Sequence, residues 1–268
     1  MKLARITGFR LVSAQPERLL RFYEAIGFRI GTDGPIAIGE LAMLGVDRPG
    51  HRHRMTLGKT AVDLDRFDDE ARGYPAGTNA ASRCFQHLAL ITDDIAHAWE
   101  KARSAGARLI SRDGPVTLPQ SAGGVTAVKF RDPEGHPLEF LTFPDMTAKD
   151  WKGTGVIGID HSAIVATDLD ASVAFYRMMG LERGDASLNH GGAQAALDRV
   201  DDPRVDVVPM QPDTGAPHVE LLHYRQPAGA PSPAWRVDDI AATRIVWAGD
   251  APALIRDLDG HFHQVDVD

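Results

Sequence analysis

His87, His161, Glu139 and Glu220 are the residues whose types and surroundings could do chemistry together. Each stands in a short, mostly apolar stretch: His87 in FQHLALI, His161 in GIDHSAIV, Glu139 in HPLEFL and Glu220 in HVELLHY. Two neutral imidazoles and two carboxylates would form a nitrogen–oxygen environment close to neutral once a divalent ion binds. Such donors suit Fe2+, Mn2+, Co2+, Ni2+ or Zn2+. A thiolate cluster is excluded because Cys84 is the single cysteine, which also rules out a disulfide within the chain. Taken alone, a strand histidine or glutamate is more often packed or ion-paired than ligating. The case turns on what brings the four together.

Self-similarity supplies the frame. ITGFRLVSAQPERLLRFYEAIGF (6–28) and IDHSAIVATDLDASVAFYRMMGL (159–181) share an alternating apolar stretch, a polar turn and a helical pattern. Phe22-Tyr23 aligns with Phe175-Tyr176, and Gly27 with Gly180, each glycine suiting a left-handed helix end. Asp168 and Asp170 can cap the second of these helices. HLALITDDIAHAWEKARSAGARLI (87–110) reads as strand, cap, helix, glycine and strand. WRVDDI (235–240) keeps a strand and cap and loses most of the helix. FRDPEGHPLEFLTF (130–143) and IRDLDGHFHQVDV (255–267) each join two strands through a tight turn ending Gly-His. The chain thus reads as four strand–helix–strand–strand–strand units near 1–70, 82–145, 155–226 and 230–268, grouped as halves 1–145 and 155–268. His136 and His261 read as supports of their hairpins.

These motifs resemble the vicinal oxygen chelate superfamily, which includes glyoxalase I, bleomycin-resistance proteins, methylmalonyl-CoA epimerase and extradiol dioxygenases. The resemblance implies an α+β fold of four βαβββ modules, paired into two open cup-shaped sheets. It also places metal ligands on the first and last strands of the modules. Units two and three then supply His87, Glu139, His161 and Glu220, whereas units one and four offer Gly8, Asp63, Ser232 and Gln264. All four intact ligands share a cup only if unit two pairs with unit three and unit one with unit four. Ala89 and Ala163 would leave room beside the histidines or simply pack. By alternation Leu222 and Tyr224 share the face of Glu220. Asn189 and Gln194, in a glycine-rich loop LNHGGAQ leading into a strand, join Tyr224 as candidate substrate contacts. HRHR (51–54) reads as a solvated turn or strand start, with metal binding second.

A formal net charge of -8 disfavours nucleic acid and anionic membranes as partners. No apolar run approaches a membrane span and no signal peptide is read, so the expected setting is the cytoplasm. The expected partner is a small-molecule substrate, and a homodimer is compatible with the pattern. The resemblance implies one first-row metal ion and a lyase or isomerase of glyoxalase or epimerase type, with Glu139 as base and Glu220 as the alternative. Its substrate would chelate the metal through two adjacent oxygens. Two other readings stand beside it: an Fe2+ extradiol dioxygenase needing only His87, His161 and Glu139, and a non-catalytic binding or resistance protein.

Overall fold

Four strands with nearly every side chain buried form the spine of the molecule, and each opens one module. The computed structural model describes residues 3–67, 71–231 and 233–267. Module one runs β1 (Arg5–Val12), α1 (Pro16–Ala25), β2 (Arg29–Pro35), α2 (Ile38–Leu44), β3 (Gly50–Leu57) and β4 (Thr60–Phe67). Module two runs β5 (Gln86–Thr92), α3 (Ile95–Ser104), β6 (Arg108–Leu109), β7 (Val116–Thr117), β8 (Thr126–Arg131) and β9 (Pro137–Thr142). Module three runs β10 (Val156–Val165), α4 (Leu169–Met178), β11 (Glu182–Arg183), β12 (Ser187–His190), α5 (Gly191–Asp198), β13 (Arg204–Gln211) and β14 (His218–Gln226). Among the described residues, module four keeps β15 (Arg244–Gly249), β16 (Ala253–Arg256) and β17 (Phe262–Val267).

Sheet order shows which modules meet. One sheet runs β16-β17-β15-β1-β4-β3-β2 and the other β11-β13-β14-β10-β5-β9-β8-β6. The first strands pair antiparallel at the centre of each sheet, β1 with β15 and β5 with β10. Module one therefore meets module four, and module two meets module three, so each sheet draws on both halves of the chain. Within a module the first strand lies parallel to the last.

Helices α1, α3 and α4 pack their apolar stripes into one core shared by both sheets. Leu19, Phe22, Tyr23, Ala98, Ala102, Val173 and Tyr176 meet Leu88, Phe140, Ile164, Trp247 and Val265 there. Asp94 and Asp168 cap α3 and α4 by accepting from the amides of His97 and Ala171, while α1 starts on Pro16. Asp170 stands in the first turn of α4, where a negative charge suits the helix dipole. Gly27 and Gly180 end α1 and α4 with φ of 107° and 94°.

The recurring motifs are staples between the sheets. Asp132 accepts from the Tyr23 hydroxyl at 3.1 Å and pairs with His136 Nδ1 at 2.7 Å, and His136 Nε2 reaches the Val12 carbonyl at 3.0 Å. The second half repeats this arrangement. Tyr176 donates to Asp257 at 2.9 Å, and His261 Nε2 reaches the Val165 carbonyl at 3.2 Å.

Two expected elements differ. Residues 235–240 form no strand; they turn, with Asp239 NH bonded to the Arg236 carbonyl and the Asp239 carboxylate held by Arg72. The first strand of module four is instead β15, whose RIVWAG is rich in β-branched and aromatic side chains. Ser232 lies outside the described residues. The stretch after His190 is not a loop leading to a strand but the helix α5, because AQAAL is strong helix-forming sequence.

Candidate metal centre in the cup of modules two and three

The parallel and antiparallel registers place the four sequence candidates around one cavity. Ala89 is opposite Glu139 across β5 and β9, Ala163 is opposite Glu220 across β10 and β14, and His87 is opposite Ala163 across β5 and β10. With a period of two, each histidine thus lies one alternation from a glutamate of its own module. The side chains of His87, Glu139, His161 and Glu220 line a cavity of about 470 Å³. His87 Nε2 is 3.0 Å from Glu139 Oε2, and His161 Nε2 is 3.8 Å from the same oxygen and 3.5 Å from Glu220 Oε2. Donor atoms of His87, Glu139 and His161 all lie within 4.8 Å of one another. Neighbouring donors on one first-row ion, with bonds of about 2.1 Å, stand roughly 3.0–3.5 Å apart. The residues present therefore fit such an ion, with Glu220 beside the tighter trio.

Electrostatics favour positive charge at the same point. Burial pushes His87 below its usual pKa, which keeps its ring neutral. Burial opposes charge on His161 as well, yet Glu220 and Asp160 outweigh it and hold the ring protonated up to about 9. Burial alone would raise both glutamates. Lys129 and His87 instead hold Glu139 below the ordinary range, and His161 and His218 hold Glu220 at about 2. Two ionised carboxylates around His161 Nε2 call for a cation, which a proton or a divalent ion can supply.

Four cavity or near-cavity residues were not legible as site residues. Lys129 faces Glu139 across the β8–β9 hairpin, and its Nζ is 2.6 Å from Asp198 at the end of α5. The buried Asp198 carboxylate also accepts from Gln194 Nε2 at 2.7 Å and the Tyr224 hydroxyl at 2.8 Å. Asp160 would face away from His161 in a regular strand. An irregularity in pairing between Ile159 and His161 brings both to the cavity, with Asp160 Oδ2 2.9 Å from His161 Nδ1. That contact orients the ring and leaves Nε2 toward the glutamates. His218, level with His161 on β14, lies 3.6 Å from Glu220. The Lys129–Glu139 pairing could have been found by counting outward from the DPEGH turn. The other three depend on a helix end, a strand irregularity and a parallel register.

Asn189, Gln194 and Tyr224 all line the cavity. Tyr224 and Gln194 spend one donor each on Asp198, whereas Gln194 Oε1 is buried without a hydrogen-bond partner. Asn189 Oδ1 accepts from Ser187 Oγ at 2.8 Å.

The cup of modules one and four is filled. The equivalent positions are Gly8, Asp63, Arg244 and Gln264, so Arg244 stands where Ser232 was expected. A Cβ on Gly8 would stand 2.6 Å from the Ala61 carbonyl oxygen, leaving no space for a ligand side chain. Arg10 replaces the small Ala163 and, with Arg52 and Arg244, engages Glu40, Asp63, Asp65 and Asp266. Glu40 enters from α2, which stands before the last two strands of its module as α5 does in module three.

No helix among the described residues is long and apolar enough to cross a membrane. A search of curated proteins finds no match. Among solved structures, glyoxalase I from Zea mays superposes with a TM-score of 0.62 at 12% identity, over 97% of this chain and 91% of that one. A Bacillus subtilis protein described as a candidate dioxygenase superposes with a TM-score of 0.57 at 12% identity, over 98% of this chain and 85% of that one. These likenesses show the fold of curled, open α+β sheets. The family model matching residues 3–140 is that of the Glyoxalase/Bleomycin resistance protein/Dioxygenase superfamily, and the chain belongs to it.

Proposed function

We propose that the chain is a divalent-metal-dependent lyase or isomerase acting on a small substrate with two adjacent oxygens. His87, His161, Glu139 and Glu220 would hold the ion. The observation that carries the reading is that two carboxylates, from Glu139 and Glu220, both lie within 4 Å of His161 Nε2, at 3.8 and 3.5 Å, beside the cavity. A bound divalent ion supplies Lewis acidity to the substrate oxygens. Glu139 accepts a proton from carbon next to the substrate carbonyl and returns it. Its ionised state is maintained by Lys129 and His87. Gln194 Oε1 offers an acceptor for a substrate hydroxyl or amine. Leu118, Leu141, Leu197 and Val207 are among the apolar side chains that line the cavity beside these groups.

A second reading, Fe2+ ring-cleaving oxygenation, is favoured by one observation. The compact trio is His87, His161 and Glu139, while Glu220 is also 3.6 Å from His218. Turnover by metal-reconstituted protein without oxygen separates the two. The lyase or isomerase reading expects anaerobic turnover with Ni2+, Co2+ or Zn2+, nearly abolished in Glu139→Gln and impaired in Glu220→Gln. Strict dependence on Fe2+ and O2 together with an active Glu220→Gln variant would overturn it.

A further inference from the structure

The HRHR stretch of β3 presents a second set of metal-type donors, on the face of its strand opposite the one that Arg52 turns to the filled cup. Side chains alternate along β3, so His51 and His53 share one face and Arg52 takes the other. Arg52 is buried and held by Asp65 at 2.6 Å and Glu40 at 2.7 Å, which fixes the strand between the two histidines. Asp33 on the edge strand β2 is directly opposite His53, and its Oδ2 lies 2.8 Å from His51 Nε2. The imidazole centroids are 5.0 Å apart, and one donor atom from each of the three residues lies within 4.8 Å of the others.

We propose that Asp33, His51 and His53 form an outward-facing site for a borderline divalent ion of the Zn2+, Ni2+ or Cu2+ class. The chemistry is that of two imidazoles two residues apart and a carboxylate from the neighbouring strand. Imidazole selects these ions over Mg2+ and Ca2+, and a single carboxylate leaves the complex positive, with water completing the coordination. Partial exposure of the histidines lets the ion enter without opening the fold. Because the donors come from two strands, a bound ion ties the edge strand β2 to β3. Pairing there is irregular between Ile30 and Asp33, so the tie falls where the ladder resumes.

The test is equilibrium dialysis with Zn2+ on chelator-stripped wild type, His53→Ala and Asp33→Asn, with amide exchange of residues 29–35 followed in parallel. Wild type should bind one more Zn2+ than His53→Ala, whose residual affinity at this site should fall about tenfold or more. Asp33→Asn should weaken binding less, because the amide oxygen can still coordinate. Zn2+ should slow exchange in β2 of wild type and not of His53→Ala. Asp33 is exposed and His53 half-buried, both on the face turned away from the cup, and turnover should stay within about twofold. If the cup binds no ion, wild type binds one Zn2+ and His53→Ala none, so the two sites are judged separately. Equal stoichiometry and affinity in wild type and His53→Ala, or unchanged exchange in β2, would overturn the proposal.

Discussion

Asp198→Asn removes the counter-charge of a buried ammonium. The Lys129 side chain is 5% exposed, and its Nζ is 2.6 Å from the fully buried Asp198. Removing one partner of a buried pair costs about 3–5 kcal/mol, because the other charge is stranded. An asparagine oxygen can still accept from Tyr224 or Gln194, which points to the lower end, about 3 kcal/mol. Lys129→Met should cost less, about 1–2 kcal/mol, since Asp198 keeps its bonds from Gln194 and Tyr224. The double variant removes both charges of this pair, leaves the Glu139 carboxylate to His87, and fills the lysine stem with an apolar chain. It should lie within about 2 kcal/mol of wild type, so the two changes together cost less than their sum by at least about 2 kcal/mol. Urea unfolding of all four proteins at neutral pH measures this. Additivity within about 0.5 kcal/mol would show that the ammonium and carboxylate are not coupled, and would refute the description of α5 as tied to β8 by charge.

The sheet staples should differ in strength. Tyr23→Phe leaves Asp132 with His136 and three backbone amides, and should cost about 1 kcal/mol. Tyr176→Phe should cost about 1–2 kcal/mol more: Trp247 donates to His263 Nδ1, so the ring's Nε2–H points at Tyr176 and would be left buried without an acceptor; equal urea midpoints would count against this. Burial opposes charge on His136, but Asp132 outweighs it and raises the ring above its usual value, while His136 and the turn amides lower Asp132 despite its burial. The histidine contribution is complete below about pH 6.5 and is lost as pH rises through the higher folded value; the aspartate contribution is complete above about pH 4 and is lost as pH falls through the lower folded value. Stability of wild type should thus fall on the alkaline side of about pH 6.5, and Asp132→Asn should flatten that fall, an expectation that an unchanged slope would contradict. Asp63→Asn, in the filled cup, should leave turnover within about twofold, and activity lost without loss of folding would show that this cup takes part in the chemistry.

The repeat of Phe-Tyr and Gly-His motifs was enough to read four modules, because a repeated unit has to bury its apolar face the same way each time. Strand alternation likewise placed Leu222 and Tyr224 on the face of Glu220. Sequence could narrow the pairing of modules but not show it, since the β5–β10 and β1–β15 ladders join residues some 70 and 240 positions apart. The start of module four was misread because Arg236–Asp239 has the polar cap of a strand–helix junction, while RIVWAG carries the actual strand. Asp160 was hidden by an irregular pairing that defeats the period of two. Asp198 was hidden because α5 brings it to Lys129 from another module. Residue types therefore indicated which groups could bind a cation and which motifs recur. Only the tertiary structure decided that one cup keeps a cavity while the other closes on three arginines, because charge pairing and steric room at Gly8 and Arg10 exist only once distant strands lie side by side.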